Sequence, residues 1–254
     1  MKPTKSLRVL VLDIETSPML VYVWNLKDQY VGLNQMVQDW HIMAWSAKWL
    51  GAPASSIKYY DQRNLKVGDD LPILRPLWKL LNEADIVLTQ NGKSFDVKKI
   101  NARFLLHGMQ PPSPYKHLDT YLIARNTAAF TSNSLEYLTG KFCAKYKKLS
   151  HAKFPGLRLW SECLKGNKAA WAEMKLYNIH DVLSTEELYE KIKAWAPKTA
   201  PAVVYVKDVS TQCHRCGKND QMRRKGREMT RRGFVQKYQC QSCGAWTQGT
   251  VILK

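Results

Sequence analysis

Asp13 and Glu15 stand two residues apart in the run VLDIET. On a strand, side chains at i and i+2 share a face, so both carboxylates would project together. Asp96 closes the segment NGKSFD, after a short apolar run and a polar turn. Alone it suits a helix N-terminus, where the helix dipole favours an acid. Tyr177 and Asp181 in YNIHD stand at i and i+4. On a helix that spacing points a phenol and a carboxylate the same way. Each motif has an ordinary reading: solvated strand-end charges, a helix-terminal acid, an amphipathic helix. Together they describe something else. Four converging carboxylates repel one another unless cations neutralise them. Hard oxygen ligands select Mg²⁺ or Mn²⁺. Two such ions about 3.5–4 Å apart clamp the oxygens of a phosphoryl transfer.

A second set of ligands lies near the C-terminus. Cys213-x2-Cys216 and Cys240-x2-Cys243 are separated by 23 residues. The two pairs read as one structural four-cysteine Zn²⁺ site, a zinc ribbon, whose intervening stretch is slightly longer than the usual range, as a hairpin extension would make it. Gly217 and Gly244 follow the two pairs and permit tight turns around a metal. So small a module takes most of its folding energy from the ion. His214, inside the first pair, is not expected to be a ligand. The intervening stretch carries Arg223, Arg224, Lys225, Arg227, Arg231 and Arg232. Such side chains suit phosphate contacts, which give affinity without sequence preference. A solvated hairpin tip is the ordinary alternative, and docking of a protein partner on the ribbon is a third reading. Cys143 and Cys163 read as small buried hydrophobes. His180 sits about 100° around the helix from Asp181 and reads as a neighbour of the site or a surface residue. Trp24 and Trp40 are the candidates for stacking on unpaired bases.

The elements that must position these groups are legible as an α/β pattern. The run LRVLVL reads as a central strand buried on both faces. Further strands are expected near His41–Trp49, Ile57–Tyr60 and Ile86–Thr89. Helical spacing runs over Pro72–Glu83 and from Val97 to a stop at Gly108. Ser134–Trp195 reads as mostly helical. The chain divides into an α/β domain at 1–196, a linker at 197–206 and the ribbon at 207–254. Of 254 residues, 39 are Lys or Arg and 21 are Asp or Glu, a net charge of +18. That excess implies a polyanionic partner. No apolar run approaches the roughly 18–20 residues of a membrane span. The run Val9–Leu12 is too short for a secretion leader. A soluble, cytoplasmic protein with no membrane partner is expected.

DIET, NGKSFD and YNIHD, in this order, resemble the three exonuclease motifs of the DEDD 3′→5′ exonucleases, over roughly residues 7–195. The likeness is greatest to the proofreading domains of family B DNA polymerases. Leu176 stands where the histidine subtype would carry its histidine, and Tyr177 where the tyrosine subtype carries its tyrosine. HLDT (117–120) and SLEYL (134–138) resemble the family's supporting segments more loosely. The resemblance implies a ribonuclease H-like mixed sheet flanked by helices, with two Mg²⁺ or Mn²⁺ ions. By resemblance, Asp13 would bridge both ions, Glu15 and Asp181 would bind one, and Asp96 would hold the second, partly through water. Tyr177 would align the attacking water, Thr16 would contact the terminal nucleotide and Asn91 the substrate strand. The segment YQCQSCG resembles zinc ribbons of some transposases and other DNA-binding proteins. The expected activity is a two-metal 3′→5′ exonuclease on single-stranded nucleic acid, DNA ahead of RNA, acting alone or in trans because no polymerase domain accompanies it. The rival expectation is a catalytically silent scaffold acting as a nucleic-acid-binding or recruitment module.

Overall fold

The computed structural model describes residues 7–27, 30–150, 153–196, 209–231 and 233–252; the linker read at 197–206 and Arg232 lie outside them. The described chain forms two compact units. One combines Arg8–Tyr121 with Ser132–Leu188. The other gathers Leu122–Thr131 with the described residues of Tyr189–Lys254.

The first unit is built on a mixed sheet. Its strands are β1 (Val9–Thr16), β4 (Ile42–Trp49), β5 (Lys58–Asp61), β6 (Ile86–Thr89) and β7 (Lys116–Asp119), in the order β5-β4-β1-β6-β7. β1 runs parallel to β6 and antiparallel to β4. A small ribbon of β2 (Leu20–Val21) and β3 (Met36–Gln38) joins β1 to β4. β1 extends past the apolar run and so includes both Asp13 and Glu15. Its alternation decides what each face does. Leu10, Leu12 and Ile14 pack with Trp45 and Val87 against α1 (Leu71–Glu83) and α2 (Asp96–Leu106). The apolar stripe of α1 is Ile73, Leu74, Leu77, Leu80 and Leu81, all buried. Each such side chain contributes about 1.5–3 kcal/mol relative to leaving it in water. On the sheet's other side, Met43 packs with Leu159 and Cys163 of α5 (Arg158–Leu164) and with Ala170, Trp171 and Met174 of α6 (Lys168–Ile192).

The expected helical stretch from Ser134 is interrupted. After α3 (Thr120–Thr127) and α4 (Leu135–Phe142), the described residues before α5 form no further helix. That stretch, CAKYKKLSHAKFPG, lacks a helical apolar stripe and closes on Pro155 and Gly156, the latter at φ +58°. Cys143 and Cys163 are buried, as their type suggests.

The second unit holds β8 (Met222–Thr230), β9 (Gly233–Cys240) and β10 (Trp246–Ile252) in one antiparallel sheet of order β10-β9-β8. Cys213, Met222, Cys240 and Ala245 form its small core, with Ala194 packed against them. Buried Arg215 donates from Nη2 to the Ala196 carbonyl at 2.8 Å. These contacts explain why the chain just after α6 belongs to this unit.

One ionic network braces the first unit. The Asp70 carboxylate is fully buried. It accepts from Arg103 Nε at 2.7 Å, Arg103 Nη2 at 2.8 Å and the Ile42 N–H at 2.9 Å. His107 Nε2 lies 2.6 Å from it. Burial alone would raise this carboxyl; the bonds from Arg103, Ile42 and His107 outweigh it and hold Asp70 below the usual carboxylate range. Its stabilisation is therefore present above the unfolded carboxyl pKa and lost as pH falls through the folded one. Asp70→Ala strands the Arg103 guanidinium in the interior. Urea unfolding at neutral pH should read a loss of about 3–5 kcal/mol.

Candidate active site and metal centres

The sheet and α6 bring the sequence-predicted acids to one place. Asp13 and Glu15 leave β1 on the face away from Leu12 and Ile14, and Asp181 meets them from α6. The ligand oxygens of Asp13, Glu15 and Asp181 all lie within 4.8 Å of one another. Asp96, in the first turn of α2, is buried, and its Oδ1 accepts the Ile14 N–H at 3.1 Å. That bond ties α2 to the strand between the two other acids.

The turn before Asp96 is fixed by its sequence. Asn91 adopts φ +61°, and its side-chain oxygen accepts from Ser94 Oγ at 2.7 Å. Asp119, at the end of β7, accepts the N–H groups of Asn91 at 2.8 Å and Lys93 at 3.0 Å. Gly92 is required by space: a Cβ there would lie 2.3 Å from Thr89 Oγ1. HLDT thus supports the turn through Asp119.

Three residues that the sequence reading missed complete the surroundings. Asn178 donates from Nδ2 to Asp13 Oδ2 at 2.6 Å, while its backbone carbonyl accepts from Ser46 Oγ at 2.8 Å. Trp160 donates its indole N–H to Glu15 Oε2 at 3.1 Å and meets the Tyr177 ring edge-on at 6.4 Å. Lys148 Nζ pairs with Asp181 Oδ2 at 2.6 Å and lies 4.6 Å from the Tyr177 ring centre. Asn178 had a signal, since it stands one turn before Asp181 inside YNIHD. Lys148 had none: it is one of 39 basic residues and sits in irregular chain.

The electrostatics follow from crowding. Burial, then Asp96, Asp181 and Glu15, push the Asp13 carboxyl well above its ordinary value. Burial and then Asp181 push Glu15 up to about 8. Burial pushes Asp96 up to about 7 against two backbone N–H bonds that oppose it. Burial and Asp181 push the Tyr177 phenol up to about 12, so it keeps its proton at neutral pH. Burial works against the Lys148 ammonium, but Asp181 and Tyr177 overcome it and hold the lysine charged. Beside Lys148, a divalent cation is the group this donor set fits: convergent, buried oxygens that resist ionisation together.

A cleft of about 380 Å³ opens beside the acids, lined by Glu15, Thr16, Phe95, Leu157 and Trp160 among others. Thr16 is therefore at its edge. Asn91 is exposed. His180 packs edge-on against Tyr146, with 5.6 Å between ring centres. Trp40 lies under Lys99 Nζ at 3.6 Å, and Trp24 is almost wholly exposed.

In the second unit the four cysteines cluster. Cys213 and Cys243 have Sγ atoms 3.7 Å apart, as do Cys216 and Cys240. A disulfide would require about 2.05 Å. A tetrahedral Zn²⁺ with bonds of about 2.3 Å sets sulfurs about 3.8 Å apart. The cluster fits a metal and does not include His214. Arg223, Arg224, Lys225 and Arg227 are exposed on β8, and Arg231 is exposed in the turn after it.

A model of the RNase_H superfamily matches residues 54–193. The span contains Asp96, Tyr177 and Asp181. The fold is similar to that of the family B DNA polymerase from the hyperthermophilic archaeon Pyrobaculum calidifontis, with a TM-score of 0.53 and 16% identity. The likeness covers 74% of this chain and 25% of the polymerase, and at that identity it shows a shared fold. No curated protein matches.

The raised carboxyls make a signed pH dependence. Glu15 and Asp96 hold protons in the folded state that the unfolded chain releases above pH ~4. Their stabilisation is complete below that value and is lost as pH rises through about 7–8. Without added Mg²⁺ or Mn²⁺, the melting temperature should fall from pH 5 to 8. Mn²⁺ should raise it more at pH 8 than at pH 5, and Glu15→Gln should flatten the profile.

Proposed function

This chain belongs to the RNase_H superfamily, and on that premise we propose that it is a divalent-metal-dependent 3′→5′ exonuclease acting on single-stranded nucleic acid, DNA ahead of RNA. The observation that carries the reading is the convergence of Asp13, Glu15 and Asp181 within 4.8 Å. Buried Asp96 is tied to the same strand. In this reading Asp13, Glu15, Asp96 and Asp181 hold two Mg²⁺ or Mn²⁺ ions. The chemistry such ions supply is Lewis-acid activation of water and neutralisation of phosphate charge.

The remaining residues position and stabilise. Asn178 fixes the Asp13 carboxylate, and Trp160 fixes Glu15. The Tyr177 phenol, protonated at neutral pH, orients the attacking water in line with the phosphorus and is no general base. The Lys148 ammonium, held by Asp181 against the Tyr177 ring, sets that phenol and offers charge to the transition state. Thr16 and the apolar walls of the cleft receive the terminal nucleotide, and Asn91 meets the strand. The four cysteines hold one Zn²⁺. Arg223, Arg224, Lys225, Arg227 and Arg231 then meet phosphates, and Arg232 takes the same role on its sequence position alone.

The test uses 5′-labelled single-stranded DNA and RNA of one sequence, with wild type and Asp181→Ala, in Mg²⁺, Mn²⁺ or EDTA. A metal-dependent ladder shortening from the 3′ end, absent in the variant, is expected; its preferred sugar names the substrate. Cleavage by Asp181→Ala or Asp13→Ala at the wild-type rate would sink the assignment. Lack of any cleavage with binding retained would favour a silent recruitment module. Tyr177→Phe and Lys148→Met should each lower kcat by roughly 10²-fold with little change in substrate binding.

A further inference from the structure

The ribbon carries a feature that phosphate contact does not explain. Its hairpin bears a cationic strand that ends in an exposed apolar pair. On β8, Arg223, Arg224, Lys225 and Arg227 are exposed and make no ion pair among the described residues. β8 is the edge of its sheet. Charge on an edge strand blocks further strand pairing, which would account for the cations alone. It does not account for the apolar pair beyond them. Met229 and Phe234 face each other across the hairpin in direct register, one rung before Thr230 and Gly233 close the turn. Met229 is 78% exposed and Phe234 50%. A cross-strand pair of this kind stabilises a hairpin by shielding the two side chains from water. With so much of both side chains in water, the hairpin gains little from them. Their area is available to another surface.

The geometry points to a wedge. We propose that Met229 and Phe234 insert between stacked bases of a nucleic-acid duplex while the cations of β8 hold its phosphates. Arg227 and Met229, at i and i+2, share a face, so a cation flanks the apolar pair on one side, and exposed Arg231 in the turn flanks it on the other. The register shift between Arg224 and Arg227, with Gly226 at φ +69°, puts a bulge into the strand and adds twist to the ribbon. β-Sheet readers lay strands in duplex grooves, and exposed apolar side chains on such sheets unstack base steps and kink the helix; here Phe234 sits on the central strand, between Met229 of β8 and Ile252 of β10. Charge selects the occupant. Residues 207–254 carry eleven Lys or Arg against three Asp or Glu. The partner is thus a polyanion that also offers flat apolar faces between its charges. This inference rests on the nucleic-acid role proposed for the ribbon and adds duplex unstacking to it.

The experiment uses the full chain without added Mg²⁺ or Mn²⁺ and a duplex about 30 base pairs long. One strand carries 2-aminopurine, whose fluorescence rises on unstacking, and dyes at the two ends report bending by energy transfer. Wild type should raise both signals, with a kink of roughly 20–90°. Met229→Ala/Phe234→Ala should bind within about threefold of wild type at an unchanged salt slope, yet lose both signals. Phe234→Leu should keep them, which separates a wedge from a folding defect. Arg223→Gln/Arg227→Gln should weaken binding about tenfold or more and reduce the salt slope by about 2. Tight, salt-dependent binding by wild type with neither signal would overturn the wedge and leave the cationic ribbon standing. Unchanged binding by the arginine variant would overturn the ribbon's nucleic-acid role itself.

Discussion

Carboxylates gathered in a buried space repel one another, and much of the first unit can be read as the apparatus that holds them there. Two of the four come from the central strand of the sheet, one from the start of a helix on one face, and one from the long helix on the other. Each carboxylate is held by something else. Asp13 is held by Asn178, Glu15 by Trp160, Asp96 by the Ile14 N–H and Asp181 by Lys148. The Lys148 ammonium alone cannot balance four carboxylates, so protons are retained, and divalent cations would take their place. That is the physical link between the fold and its proposed chemistry.

The placement depends on backbone that cannot slip. A one-residue shift of β1 would send Asp13 and Glu15 into the apolar layer of α1 and α2. Leu10, Leu12 and Ile14 on the opposite face make that shift costly. The turn ahead of Asp96 is pinned by Asp119 and by the absence of a side chain at Gly92. The Asp70–Arg103–His107 network braces α2 against the start of β4.

The ribbon solves a different problem. Its packed core cluster among the described residues is small: Cys213, Met222, Cys240 and Ala245. Metal coordination by the four cysteines would supply what hydrophobic burial cannot in so small a sheet. The module leaves the cations of β8 and the Met229–Phe234 pair in solvent.

Much of this was legible in the amino-acid sequence. The alternation in VLDIET, the i,i+4 spacing in YNIHD and the two Cys-x2-Cys pairs are local patterns, and local patterns are set by the periods of strand, helix and turn. The carboxylates and cysteines could be named from them, as could the α/β class. Tertiary structure alone decided the rest. Lys148 lies in chain without periodicity and reaches Asp181 only because α5 and α6 fold back over the sheet. Trp160 meets Glu15 across 145 positions of sequence for the same reason. A local period specifies which way a side chain points along its own element. Which distant side chain it meets is settled by packing, and packing has no period in the sequence to announce it.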